Sequence, residues 1–243
     1  METPDLFGLL CREYFETGTS SPLQLERDDG TIIDDYPIKH YVKEASLRPL
    51  EKEYLELARG KVLDIGSGTG RIAQYVQQRG LDVSGVDFSE HLAHISRARN
   101  IHTYVMDVKR TLPDETYDSI LLFGNGLGLP GTIDELTHLL KRLQENTAEQ
   151  AIIIGEGNDP TRMKEESDLH YQKRNLHLCR YLGQRNWRIR SESRTGTYFN
   201  WLQVEPSLLE KIAHETGWQI LKGPTYDEGS QWGSYFIALE KMK

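Results

Sequence analysis

Two hydrophobic periods alternate along this chain. Lys61-Val62-Leu63-Asp64-Ile65 is a short apolar run that gives way to glycines at 66, 68 and 70, then to apolar residues at helical spacing through 79. That pattern predicts a strand, a tight turn and a helix. The alternation continues with a strand at 82–87, a helix at 89–99, strands at 101–106 and 117–123, a helix at 132–145 and a strand at 151–154. A late helix over 206–216 and strands near 218–222 and 234–240 close the chain. Strands separated by helices predict a doubly wound α/β fold, a mostly parallel sheet covered on both faces.

Ahead of this unit, Thr3-Pro4-Asp5 predicts a helix start, with a capping hydroxyl, a first-turn proline and an acid at the positive end of the dipole. Leu6, Phe7, Leu9, Leu10, Tyr14 and Phe15 then recur at helical spacing until Gly18. This helix either packs on the body or covers the active site, and residues 1–47 are assigned to an N-terminal lid and substrate segment. A turn-rich extended stretch follows, with Asp28-Asp29-Gly30 as its turn. A helix from Arg48-Pro49-Leu50 through Glu56 opens the main domain, 48–243. Within that domain, residues 157–205 occupy a place where such folds normally carry a connection of a few residues. Their pattern predicts a helix at 161–174 and an antiparallel pair, 176–190 with 197–204. Extra chain at the carboxyl edge of a parallel sheet shapes ligand sites, so 157–205 is read as a substrate-recognition insert.

Composition narrows the function classes. A chain of 243 residues that is 37% hydrophobic, with a mean hydropathy of -0.58, has no apolar run near the roughly 18 residues that span a bilayer. No membrane partner is expected. The N-terminus has neither the basic region nor the apolar stretch of a secretory signal, and Cys11 and Cys179 are the only cysteines, which points to a reducing cytoplasm. The balance of 29 basic against 37 acidic residues, net -8, repels phosphate backbones and speaks against nucleic acid. The richest basic stretch, from Lys173 to Arg194, holds Arg174, Arg180, Arg185, Arg188, Arg190 and Arg194; it reads as a solvated hairpin face ahead of an anion-binding patch. No metal-ligand pattern is read, and the oligomeric state is left open.

The glycine turn marks a nucleotide-type site, because glycines let backbone approach a ligand and the next helix directs unpaired N–H groups at it. A dinucleotide fingerprint would place its third glycine where Arg71 stands. Asp64, immediately before the turn, would oppose a pyrophosphate but suits an ammonium or sulfonium. The run Asp64-Ile65-Gly66-Ser67-Gly68-Thr69-Gly70 resembles the first motif of class I S-adenosylmethionine (SAM) dependent methyltransferases. The resemblance implies a seven-stranded sheet in the order 3-2-1-4-5-7-6 with the seventh strand antiparallel, covering roughly 48–155 and 206–243. It also implies SAM as cofactor, with Gly66, Ser67, Gly68 and Gly70 around it. Asp87, at the end of the second strand, would accept the ribose hydroxyls, with Phe88 beside the adenine. Asp107, flanked by Met106 and Val108, resembles the acid that takes the adenine amino group. Phe123, Gly124 and Asn125 would pass under the methionine end of the cofactor. The Asp/Asn-Pro-Pro-aromatic run of DNA amino-methyltransferases is missing at this exit.

In the insert, Asp168, His170 and Tyr171 are candidates to receive a proton from an acceptor amine. Tyr36, Tyr41, Arg71, Asn175 and Trp201 are candidate substrate contacts, with structural roles open for each of the rings. A looser similarity, to bacterial natural-product methyltransferases, rests on the Gly-Asn turn after the fourth strand and on His170, Asn175 and Arg180 ahead of Trp201-Leu202. The expected activity is methyl transfer from SAM to a small molecule or peptide, at N or O, with an amine favoured. The alternatives are a non-catalytic SAM-binding regulatory module and a nicotinamide-dependent oxidoreductase.

Overall fold

A computed structural model of the chain describes residues 2–3, 5–34, 38–43 and 47–243. In chain order the elements are β1 (Glu2–Thr3), α1 (Leu6–Thr17), β2 (Gln24–Arg27), β3 (Ile32–Ile33), α2 (Ile38–Val42), α3 (Pro49–Leu55), β4 (Lys61–Ile65), α4 (Arg71–Gln78), β5 (Asp82–Asp87), α5 (Glu90–Ala98), β6 (His102–Val105) and β7 (Tyr117–Leu122). The second half holds α6 (Ile133–Asn146), β8 (Thr147–Asn158), α7 (Glu166–His177), β9 (Gln184–Arg190), β10 (Thr195–Gly196), β11 (Phe199–Leu202), α8 (Pro206–Glu215), β12 (Trp218–Tyr226) and β13 (Ser234–Lys241).

Seven strands form the main sheet in the order β12-β13-β8-β7-β4-β5-β6. β4, β5, β6, β7 and β8 run parallel, and β13 is antiparallel to both β8 and β12. This is the order implied by the glycine motif. Strand residues alternate between two cores, as a pleated strand buried on both faces requires. Leu63, Ile120, Leu122, Ile153, Ile237 and Leu239 pack with Leu136, Leu140, Leu209 and Ile212 of α6 and α8. Val62, Leu121, Ile152, Ile154, Phe236 and Ala238 pack with Tyr54, Leu55, Ile72 and Val76 of α3 and α4.

The N-terminal segment and the insert are one structure. β2 pairs antiparallel with β9 from Gln24↔Arg190 to Arg27↔Trp187, β1 runs parallel to β10, and β11 pairs with β9. The result is a second, six-stranded sheet built from chain ends about 160 residues apart in sequence. A third core joins it to the main domain: Leu6, Leu10 and Cys11 of α1 and Ile189 of β9 pack with Leu92 and Ile95 of α5. Accordingly α1 is wedged between the two sheets.

Several boundaries differ from expectation. Thr3 lies in β1, and Asp5 caps α1 by accepting from the Gly8 N–H. β8 is much longer than 151–154 because β13 pairs with it as far as Ser234↔Asn158. The insert helix runs later than 161–174, since Pro160–Arg162 forms a separate short 3-10 turn capped by Asp159. Extending that helix to His177 confines the following strand to Gln184–Arg190. Among the described residues no helix is long and apolar enough to cross a membrane.

Candidate functional site

The glycine turn closes β4 tightly. The N–H groups of Gly66 and Ser67 both donate to the Val86 carbonyl of the next strand, and Gly66, Gly68 and Gly70 hold φ of +69°, +54° and +79°. Those values suit glycine because a Cβ would strain the left-handed conformation. Asp64 and Asp87 lie at the carboxyl ends of adjacent parallel strands, with Asp64 opposite Gly85. Asp64 is 2% exposed, and one of its oxygens, Oδ2, has no hydrogen-bond partner. Burial pushes its carboxyl up to about 7, with Arg71 and the Ala73 N–H pulling the other way. Asp87 accepts from the Gly68 N–H through Oδ2 and from the Ser89 N–H through Oδ1, each at 2.9 Å. Even so, burial pushes it up to about 6.

The remaining expected positions sort by depth. Phe88 is 66% exposed directly after β5, so its ring stands open beside Asp87. Asp107 is exposed; it accepts from the Lys109 N–H at 3.0 Å and has Arg110 3.5 Å away. Met106 is half-buried and donates its N–H to the Asp87 carbonyl. Val108 is buried in the main core. Phe123 is buried beside Phe236, and Asn125 takes a φ of +59° with its Oδ1 buried and unpartnered. The Ser67 Oγ is likewise buried without a partner.

A charged network that the sequence does not announce underlies this edge. Glu51, 1% exposed, receives Nη1 and Nη2 of Arg71, at 3.1 and 2.7 Å, so Arg71, expected as a substrate contact, is ion-paired within the protein. Arg48 donates to Glu51 at 3.1 Å and to Glu156 at 2.7 Å. Glu156 in turn accepts from the Gly124 N–H at 2.9 Å. Burial raises the Glu156 carboxyl, offset in part by Arg48. The chain Arg71, Glu51, Arg48, Glu156 therefore ties α4 and α3 to the loop after β7. Glu51 carried a signal, three residues after Arg48 as in a helix N-terminal box; Glu156 carried none.

The insert candidates serve the second sheet. Arg27 is 1% exposed and every nitrogen is used: Nε and Nη2 on Asp29, Nη1 on Asp168 at 2.5 Å, and Nη2 also on Thr31 and the Ser167 carbonyl. Tyr171 donates to Asp28 at 2.6 Å, and burial together with that carboxylate pushes its hydroxyl up to about 12. Asp168 is ion-paired and Tyr171 holds its proton tightly, so neither matches the expected proton acceptor. His170 is exposed on α7. Asn175 is buried and gives its amide to the Leu182 and Gln184 carbonyls. Tyr41 meets Phe7 edge-on and its carbonyl accepts from the Thr69 hydroxyl. Trp201 packs under the turn after Asn125, so close that a Cβ on Gly128 would lie 2.5 Å from its Nε1. Tyr36 lies outside the described residues. No group of three or more His, Cys, Asp or Glu with metal-binding geometry occurs among the described residues.

Residues 62–149 match the family described as "Methyltransferase domain". That span contains the glycine turn, Asp64, Asp87, Asp107 and Asn125, and the sheet order around it is that of the class I fold. Over these residues the chain matches a methyltransferase domain, and its main sheet has the class I fold. A curated relative, ubiquinone biosynthesis O-methyltransferase of Azoarcus sp. (strain BH72), is 37% identical over 62 residues, which is 24% of this chain and 25% of that protein. The match thus spans about a quarter of the curated relative. Among solved structures, a SAM-dependent methyltransferase from Bacteroides fragilis, crystallised with S-adenosyl-L-homocysteine, superposes with a TM-score of 0.81 at 20% identity, covering 100% of this chain and 98% of that one. The 1,6-didemethyltoxoflavin-N1-methyltransferase of Burkholderia thailandensis superposes with a TM-score of 0.56 at 14% identity, over 100% and 92%. The full-length likeness to the first shows that the fold of the methyltransferase domain and the second sheet recur together.

Proposed function

We propose that the chain transfers a methyl group from SAM to a small-molecule or peptide acceptor. The observation that carries this reading is the buried pair Asp64 and Asp87 at the glycine turn. Two carboxylates held this deep, one with an unpartnered oxygen, are stabilised by a ligand that brings hydroxyl donors and positive charge. Asp87 would accept the ribose hydroxyls, Phe88 would cover the adenine, and Asp107 with Met106 would edge it. Asp64, Gly124 and Asn125 would hold the methionine end, where Asp64 favours positive charge. SAM supplies a methyl already activated by its sulfonium. The protein's own contribution is alignment of the acceptor and exclusion of water.

An amine acceptor must lose a proton before attack. Of the three insert residues expected in this role, His170 alone has no recorded partner among the described residues. The similar proteins named above include both O- and N-methyltransferases, so either acceptor atom fits, and their small-molecule substrates support an acceptor of that size. Two free cysteines fit a reducing, cytoplasmic setting.

Calorimetry with SAM, S-adenosylhomocysteine and NAD tests the cofactor. Binding of the first two without NAD is expected, and NAD binding alone would overturn the reading. Incubation with labelled SAM and fractionated lysate should transfer label to a small-molecule fraction; tight SAM binding with no labelled product in any fraction would favour a non-catalytic regulatory module. Replacement of His170 by Ala should slow turnover while leaving SAM binding unchanged, and an equal rate would remove it as the base.

A further inference from the structure

Four of the six arginines in the basic stretch of the insert are ion-paired. Arg174 is on Asp28, Arg188 and Arg190 are on Glu26, and Arg194 is on Glu13. Arg185 is different. Its side chain is 1% exposed, as deep as Arg27, yet no carboxylate bonds it. Nη1 donates to the Leu182 and Gln184 carbonyls at 2.7 and 3.2 Å, while Nε and Nη2 have no partner. One cluster thus satisfies the Arg27 guanidinium completely and leaves three N–H donors of its neighbour unused. Burial lowers Arg185 to about 10, offset only in part by the charge of the nearby Asp168, which does not bond it.

Arg185 lines a cavity of about 250 Å³. Exposed Arg180 lines it too, as do Asn186 and Asn200, whose amides can donate to an oxyanion, and Thr132. Thr132 caps the start of α6 in the methyltransferase domain, whereas the other residues belong to the insert. The volume suits one carboxylate or phosphate group with a few attached atoms, far short of a nucleotide cofactor.

We propose that this cavity, between the second sheet and the start of α6, is an anion site in which Arg185 and Arg180 bind the carboxylate or phosphate group of a small metabolite. The fork of a guanidinium matches the planar edge of either group. Tyr171 stacks near the Arg185 guanidinium, with its ring centre 5.3 Å from Cζ, and Asn175 fixes the 182–184 turn whose carbonyls orient it. Their role here is positioning.

The site is tested by calorimetric titration of the full chain with inorganic phosphate and, separately, with succinate; the two arms distinguish a phosphate from a carboxylate ligand. Saturable binding of at least one, with a dissociation constant of roughly millimolar order or tighter, is expected. Arg185→Met should weaken it by about tenfold or more, the loss of a charge-assisted contact, and exposed Arg180→Ala by roughly threefold. Both variants should keep wild-type affinity for S-adenosylhomocysteine, which also reports their folding. If Arg185→Met does not fold, Arg180→Ala and Asn200→Ala decide the matter. Absence of saturable binding for both anions, or wild-type anion affinity in the folded variants, overturns the proposal. Loss of S-adenosylhomocysteine binding in the wild type would overturn the cofactor reading and leave this site standing.

Discussion

At the scale of single residues, the buried acids at the strand ends decide how this protein responds to pH. Asp64 and Asp87 hold their protons up to about 7 and about 6, whereas in an unfolded chain they ionise near pH 4. Between these limits the folded state binds more protons than the unfolded one, so stability falls as pH rises. The paired acids Glu51, Glu26 and Asp28, held below their usual range, are ionised in both states above roughly pH 5.5 and contribute almost no slope there. The thermal midpoint of the ligand-free protein should therefore drop between about pH 5 and about pH 8, and Asp64→Asn should flatten the drop. An unchanged slope in the variant would show that Asp64 titrates normally. The same acids predict that SAM binding near pH 6.5 releases protons, read as a dependence of the calorimetric heat on buffer ionisation, with roughly a proton or less from each acid. Replacing Asp87 by Ala should weaken SAM and S-adenosylhomocysteine about tenfold or more, as expected for hydrogen bonds to a charged group; equal dissociation constants would refute the ribose assignment. Asp64 and Asp87 were legible in the sequence because the glycine spacing locates them. Glu156 was not, since nothing in a strand's pattern says which charged residue at its end will meet an arginine from 108 positions upstream.

At the scale of elements, periodicity predicted the seven strands of the main sheet and the helices over it, and erred at ends set by partners. β8 continued past Ile154 because β13 offered a ladder to pair with, and α1 began at Leu6, capped by Asp5, because the chain before it paired with β10. Asp168 and Tyr171 were read as catalytic because acids and phenols in an insert suggest proton transfer. The structure instead places both on the Arg27 cluster, which fastens α7 to the β2 turn. A buried guanidinium with four polar anchors is a strong structural element only while all of them remain. Arg27→Met should cost about 3 kcal/mol by leaving Asp29 and Asp168 unpaired, seen as a lower denaturant midpoint. Little change in the midpoint would show that the cluster contributes no net stability.

At the scale of the whole molecule, residues 2–34 and the insert complete each other. β9 has β2 on one side and β11 on the other, so deleting residues 1–34 strips one edge and removes α1 from between the sheets. Such a truncation should keep hydrogen-exchange protection in β4, β7 and β8 while exposing 178–200 to limited proteolysis; undiminished protection of β9 would mean that the second sheet stands without its N-terminal strands. The amino-acid sequence by itself determined the strands of the main sheet and the acids at the glycine turn, because strand and helix periods and a short turn motif are local properties of neighbouring residues; the strand order followed from the resemblance to class I methyltransferases. Only the tertiary structure decided that the N-terminal strands join the insert, which arginines find a carboxylate, and which do not. Those outcomes depend on pairing between segments far apart in the chain, where the ladder and the available counter-charges are set by packing rather than by any pattern within one segment.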